Sequence, residues 1–132
     1  MSRSIIETTL AEHETLVRFR TGETLFLEGE QPRGVYVLHS GTVHLLFAGK
    51  NGSAKPLREA QPGQILGLSC VVTRRHHDCT AIAAEPCEVA FIECDDFLRA
   101  LDDSPAVWFG VLRVLSSEVN AVYDDMRVLA AR

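Results

Sequence analysis

Between residues 22 and 45 the chain places glycines among apolar pairs in a fixed order: Gly22, Gly29-Glu30, Gly34, Tyr36, Leu38, then Ser40-Gly41-Thr42-Val43-His44-Leu45. This order fits a β-roll, in which short strands end at residues that let the backbone turn sharply. Further on comes Pro62-Gly63-Gln64-Ile65-Leu66-Gly67. From Thr15 to Glu93, short apolar runs alternate with Gly, Pro and Asn. The pattern predicts strands over Thr15–Arg20, Thr24–Leu27, Gly34–His39, Thr42–Ala48, Lys55–Ala60, Ile65–Leu66, Cys79–Ala84 and Cys87–Glu93.

If Ser40-Gly41 is a two-residue hairpin turn, Leu38 faces Val43 and Tyr36 faces Leu45. Tyr36, Leu38, Val43, Leu45 and Phe47 then share the core face. Val35, Val37, His39, Thr42, His44 and Leu46 take the other, with His39 and His44 as diagonal neighbours. Asn51-Gly52, between Phe47 and Leu57, marks a second hairpin.

Helical signals flank the strands. Ser4–His13 reads as a short helix, with Ser4 and Glu7 as a capping box and Ile5, Ile6 and Leu10 as its apolar contacts. After Glu93 the apolar period changes from two to about 3.6. Asp95 is placed to cap a helix through Leu101, followed by a break at Asp102-Asp103-Ser104-Pro105. From Pro105 towards Arg132, Trp108, Leu112, Leu115, Val119, Val122, Met126 and Leu129 recur at alternating spacings of four and three. That is an unbroken a/d seam, which fits a parallel homodimer, while Val107, Val111 and Val114 offer a second face to the chain's own domain.

The expected fold class is mainly β with flanking helices: a double-stranded β-helix (jelly-roll) followed by a long C-terminal dimerisation helix. All 132 residues form one domain, with an N-terminal helix in 1–14, the β-roll in 15–93 and C-terminal helices in 94–132.

With 23% charged and 46% hydrophobic residues, the composition is that of an ordinary globular protein. No apolar run approaches the roughly 20 residues of a membrane span, and there is no charged-plus-apolar leader, so the cytoplasm is the expected compartment. A net charge of −5 argues against nucleic-acid binding by these residues. Arg74-Arg75-His76-His77 is the one basic cluster. Cys70, Cys79, Cys87 and Cys94 contain no Cys-x-x-Cys pair and read as reduced structural thiols; neither a metal nor an iron-sulfur cluster is expected.

Together, the glycine framework and the stretch ending at Gly67 resemble the cyclic-nucleotide-binding domain of the Crp/Fnr superfamily, the catabolite-activator and fumarate-nitrate regulators. The resemblance runs from about Thr15 to Arg132. It implies that Gly67 to Thr80 is the phosphate-binding cassette, a short helix and loop between two strands. There backbone N–H groups meet the phosphate, an Arg neutralises it and a Glu after the glycine accepts from the ribose hydroxyl.

Gly67 matches, as do the strands around Cys79-Thr80-Ala81-Ile82-Ala83 and Cys87-Glu88-Val89. However, Leu68 stands at the place of the ribose glutamate, and the phosphate arginine falls on His77, which is shorter, unforked and only partly charged near neutral pH. Each lost contact costs about 1.5 to 3 kcal/mol. Two losses predict affinity for cyclic AMP lowered roughly a hundredfold to ten-thousandfold.

Candidate ligand-binding residues are Gly67, Leu68, Ser69, Cys70, Arg74, Arg75, His77, Asp78, Cys79, Thr80 and, from the long helix, Tyr123. Arg74 or Arg75 replaces the phosphate partner if the loop folds differently. Leu68 plugs the pocket, or marks an effector lacking a ribose hydroxyl; no residue specifies which effector.

The resemblance implies a regulatory sensor that dimerises through Leu112, Leu115, Val119, Val122, Met126 and Leu129. DNA would be reached only through a helix-turn-helix that these residues do not contain. Alternatives are a ligand-free dimerisation scaffold and a cupin-like metal-binding roll using His39, His44, His76 and His77. Ser69-Cys70 after Gly67 lacks the second glycine and the base of a nucleophile elbow, so no enzyme is expected.

Overall fold

A computed structural model describes residues 14–48, 54–106, 108–113 and 115–116. Three of its turns are copies of one device. In Arg20-Thr21-Gly22-Glu23, Leu27-Glu28-Gly29-Glu30 and Gln61-Pro62-Gly63-Gln64, the glycine has φ of 90°, 87° and 96°, as the third position of a type II turn requires. The fourth residue's N–H donates to the first residue's carbonyl at 3.0, 3.1 and 3.1 Å. Its side-chain Oε1 accepts from the first residue's N–H at 2.7, 2.9 and 2.7 Å.

Each turn also clamps one distant residue. The glycine N–H donates to the carbonyl of Ala83, His77 or Leu38, at 2.7 Å in every case. The N–H of that residue donates in return to the carbonyl of Glu23, Glu30 or Gln64, at 2.9, 2.9 and 3.0 Å. Thus the Gly-Glu and Gly-Gln pairs both end a strand and fasten it to another part of the roll.

The strands are β1 (Thr15–Phe19), β2 (Thr24–Phe26), β3 (Gly34–Ser40), β4 (Val43–Ala48), β5 (Ala54–Ala60), β6 (Ile65–Leu66), β7 (Thr80–Ala83) and β8 (Cys87–Glu93). They form two four-stranded antiparallel sheets, ordered β1-β8-β3-β6 and β2-β7-β4-β5. The core includes Leu25, Phe26, Tyr36, Leu38, Val43, Leu66, Ala81 and Val89, with Leu45 and Phe47 packed against it.

The predicted core face is therefore correct, but the predicted hairpin is not. Strands β3 and β4 belong to different sheets, and Gly41, at φ 92°, is the corner between them. His39 and His44 are consequently not neighbours in one sheet. Instead His44 pairs with Glu59 and Ile82, with Nε2 3.5 Å from Glu59 Oε1. Val35 and Val37, expected on the outer face, are buried, because β3 is an inner strand and helix α1 packs on it. Strands β4 and β5 pair from Val43↔Ala60 to Ala48↔Ala54, while Asn51-Gly52 lies outside the described residues.

Helix α1 (Leu68–Thr73) starts after left-handed Gly67 and ends at left-handed Arg74. There Arg74 N–H donates to Val71 O at 3.3 Å and Arg75 N–H to Cys70 O at 2.9 Å, the paired closure of a Schellman end. Helix α2 (Cys94–Asp103) takes Asp95 into its first turn and runs two residues past Leu101. Ser104 breaks it, and helical residues resume at Pro105, where Trp108 N–H bonds to Ser104 O at 3.4 Å.

Two compact units divide between Leu98 and Arg99, and both sheets lie in the first. In the second, Val111 is buried while Trp108, Phe109 and Leu112 are exposed. The expected helix Ser4–His13 lies outside the described residues, as do Val119, Val122, Tyr123, Met126 and Leu129.

Candidate functional site

Helix α1, in the stretch expected to form the cassette, follows directly from β6, and the loop after it returns the chain to β7. His77 lies in that loop, yet it is 3% exposed. The Gly29/Glu30 latch fixes its backbone, and its imidazole stacks on Phe26 with centroids 3.9 Å apart and planes 15° from parallel. Phe26 in turn meets Tyr36 at 5.6 Å, and Tyr36 meets Phe91 at 5.0 Å. The Tyr36 hydroxyl donates to the Leu25 carbonyl at 3.3 Å.

His77 Nδ1 is buried and has no hydrogen-bond partner among the described residues. A charged imidazole would be costly there. Burial pushes its pKa below the usual 6.5, against the weaker upward pull of the Glu30 and Asp78 carboxylates. The ring lies against Gly67, where an added Cβ would be 3.2 Å from His77 Cε1. Phe26, Tyr36 and His77 line a cavity of about 250 Å³ with Glu30, Gln31 and Arg33 at its polar side.

Of the other predicted site residues that are described, none lines the His77 cavity. Leu68 is fully buried, and Cys70 and Cys79 are buried. Burial, with the Asp78 charge second, pushes the Cys79 thiol up to about 12. Ser69 and Gly67 are partly exposed, and Asp78 is exposed. Thr80 uses its hydroxyl oxygen to accept from Glu28 N–H at 2.9 Å. Arg74 and Arg75 do not line the His77 cavity. With His76 they line a second cleft of about 430 Å³, bordered by Gln31, Val71 and Cys94.

Phe26, Glu30, Arg33 and Tyr36 were not among the site residues expected from the sequence, where Glu30 marked a turn and Tyr36 the core face. The Gly29-Glu30 pair signalled the turn, but its partner is set only by the fold. Among the described residues no group of three His, Cys, Asp or Glu side chains is arranged to hold a metal ion. No described helix is long and apolar enough to cross a membrane.

Comparison with known proteins identifies the family of this fold. The cyclic nucleotide-binding domain profile matches residues 16–104. The fumarate nitrate reduction regulatory protein of Klebsiella oxytoca is 25% identical over the whole of this chain and 56% of its own length. The regulatory protein HlyX of Actinobacillus pleuropneumoniae is 22% identical over 98% of the chain and 58% of its length. The chain thus spans a little over half the length of these relatives. The crystal structure of the Thermus thermophilus catabolite activator protein superposes with a TM-score of 0.81 at 19% identity, over 95% of this chain and 58% of that one. The mainly β fold, with helices flanking its two sheets, is the one these comparisons share, and the chain belongs to the cyclic nucleotide-binding domain family.

Proposed function

We propose that this chain is the effector-sensing domain of a Crp/Fnr-type transcription regulator, and that its cassette does not hold cyclic AMP tightly. One observation carries the second half. The position that corresponds to the phosphate arginine is His77, buried and stacked on Phe26, where a phosphate would need a forked cation. The neighbouring position for a ribose acceptor is Leu68, which is fully buried and offers no hydrogen bond.

In this reading an effector acts by displacing or bracing the His77–Phe26 stack. Because His77 is latched to the Gly29-Glu30 turn, a shift of its backbone would be felt at β2 and β3. The output element is the helix from Pro105 onward, paired with a second copy along the a/d seam. Exposure of Trp108 and Leu112, the first two seam positions, supports that role. The same reading makes the domain a regulator and not an enzyme, in line with the regulatory names of the Klebsiella oxytoca and Actinobacillus pleuropneumoniae relatives.

A thermal-shift titration with cyclic AMP and cyclic GMP to millimolar concentration tests it. A tight ligand at a hundred times its Kd adds about 2.7 kcal/mol; the expected result is no saturable shift. A saturable shift at micromolar nucleotide would overturn the proposal. Leu68→Glu with His77→Arg serves as the positive arm. The double variant restores both missing contacts and should gain a nucleotide-dependent shift that the starting protein lacks.

A further inference from the structure

On the outer side of helix α1 lies the cleft of about 430 Å³ lined by Arg74, Arg75 and His76 over Val71, Leu98 and Cys94. We infer that this cleft binds a small organic anion, a phosphate or carboxylate group carried on a compact apolar body. The inference stands apart from the roll site, since among the described residues the two cavities have only Gln31 in common.

Charge is the first reason. The chain has a net charge of −5, yet two arginines and a histidine line this cleft and, among the described residues, no carboxylate does. Among the described residues, neither Arg74 nor Arg75 is ion-paired with an Asp or Glu. Two guanidinium forks side by side suit the oxygens of a phosphate or carboxylate.

The second reason is shape. The volume falls within the roughly 300 to 1,000 Å³ of small-molecule pockets. Val71 and Leu98 supply an apolar wall for the body of a ligand whose charged end meets the arginines.

Backbone conformation supplies the third. Arg74 is the only non-glycine residue with positive φ among the described residues, at φ 57° and ψ 42°. Helix ends in this conformation usually take Gly or Asn. Here a long cation occupies the strained position and is thereby aimed into the cleft beside Arg75.

Cys94 provides a reporter, because it borders the cleft and is partly exposed while Cys70, Cys79 and Cys87 are buried. The experiment follows maleimide labelling of Cys94 with phenyl phosphate, benzoate or inorganic phosphate present, alongside calorimetric titration of the same compounds. At ten times its Kd, an occupying anion should slow labelling roughly tenfold. Arg74→Gln with Arg75→Gln, at unchanged thermal midpoint, should abolish both the protection and the heat. Protection by phenyl phosphate alone identifies a phosphate ester; protection by benzoate alone identifies a carboxylate.

Absence of protection and heat with both aromatic anions would overturn the inference. So would protection that persists in the double variant, or equal protection by inorganic phosphate, which would indicate ionic screening. None of these readouts depends on cyclic nucleotide binding in the roll, so failure here leaves the sensor proposal to its own test.

Discussion

Phe26 and His77 lie ring on ring, 3.9 Å apart, at the point where β2 meets the loop that leaves helix α1. A histidine 3% exposed, whose Nδ1 has no hydrogen-bond partner among the described residues, is held there by three constraints. These are the stack itself, the reciprocal backbone bonds to Gly29 and Glu30, and the lack of a Cβ at Gly67.

Acid should loosen this arrangement. Burial holds the folded-state pKa of His77 below its usual 6.5, although Glu30 and Asp78 pull it upward. In the window between the folded value and 6.5 the unfolded chain binds more protons, so stability rises with pH. His77 thus contributes its full effect above about 6.5, and the effect is lost as pH falls towards the folded value. Urea denaturation at a series of pH values should show this slope in the native sequence and a flatter one in His77→Phe. Equal slopes in the two proteins would mean that His77 is not the titrating group.

Gly67→Ala should destabilise the fold through two separable effects. Its φ of 81° is strained for any residue with a Cβ, at about 1 to 2 kcal/mol. The new methyl would also press on His77 Cε1 from 3.2 Å. In a His77→Ala background the second effect vanishes and the first remains. A double-mutant cycle should therefore give a nonzero coupling between the two positions; strict additivity would show that the ring has moved aside at no cost.

Much of this was readable from the chain. Gly22, Gly29 and Gly63 announced turns because each stands between apolar, strand-like runs, whereas the part played by the Glu or Gln that follows each glycine was not read from the sequence. Tyr36, Leu38 and Val43 announced a core by alternation. The sheet assignment was not readable. Ser40-Gly41 looks locally like a hairpin turn, and the close approach of Gly41 to Pro86 and Cys87, which makes it a corner, is set by residues far along the chain. Sequence counting placed His77 at the cassette position, but its burial against Phe26 depends on a latch formed across the fold.

The repeated turns offer an internal control. Glu23→Ala and Glu30→Ala each remove one Oε1 acceptor from a backbone N–H in an exposed turn, and each should cost about 0.5 to 1.5 kcal/mol. Only Glu30→Ala also removes a charge that pulls the His77 pKa up. Its loss should extend the pH-dependent window to more acid values, while Glu23→Ala leaves the window unchanged. Chemical denaturation of both variants across pH separates the shared effect from the specific one.

The helix from Pro105 presents Trp108, Phe109 and Leu112 to solvent while burying Val111. Trp108 and Leu112 lie on the a/d seam, and Phe109 lies one position off it. If the seam is the dimer interface, Leu112→Asp and Met126→Asp put a charge between paired helices and should give monomers by sedimentation velocity. Phe109→Asp should remain a dimer, because a flanking position keeps access to water. If Phe109→Asp dissociates while the seam variants keep their mass, the interface is a broader apolar face than a coiled coil uses. If none of the three changes the mass, pairing does not run through this helix, and the output of the sensor must be sought elsewhere in the chain.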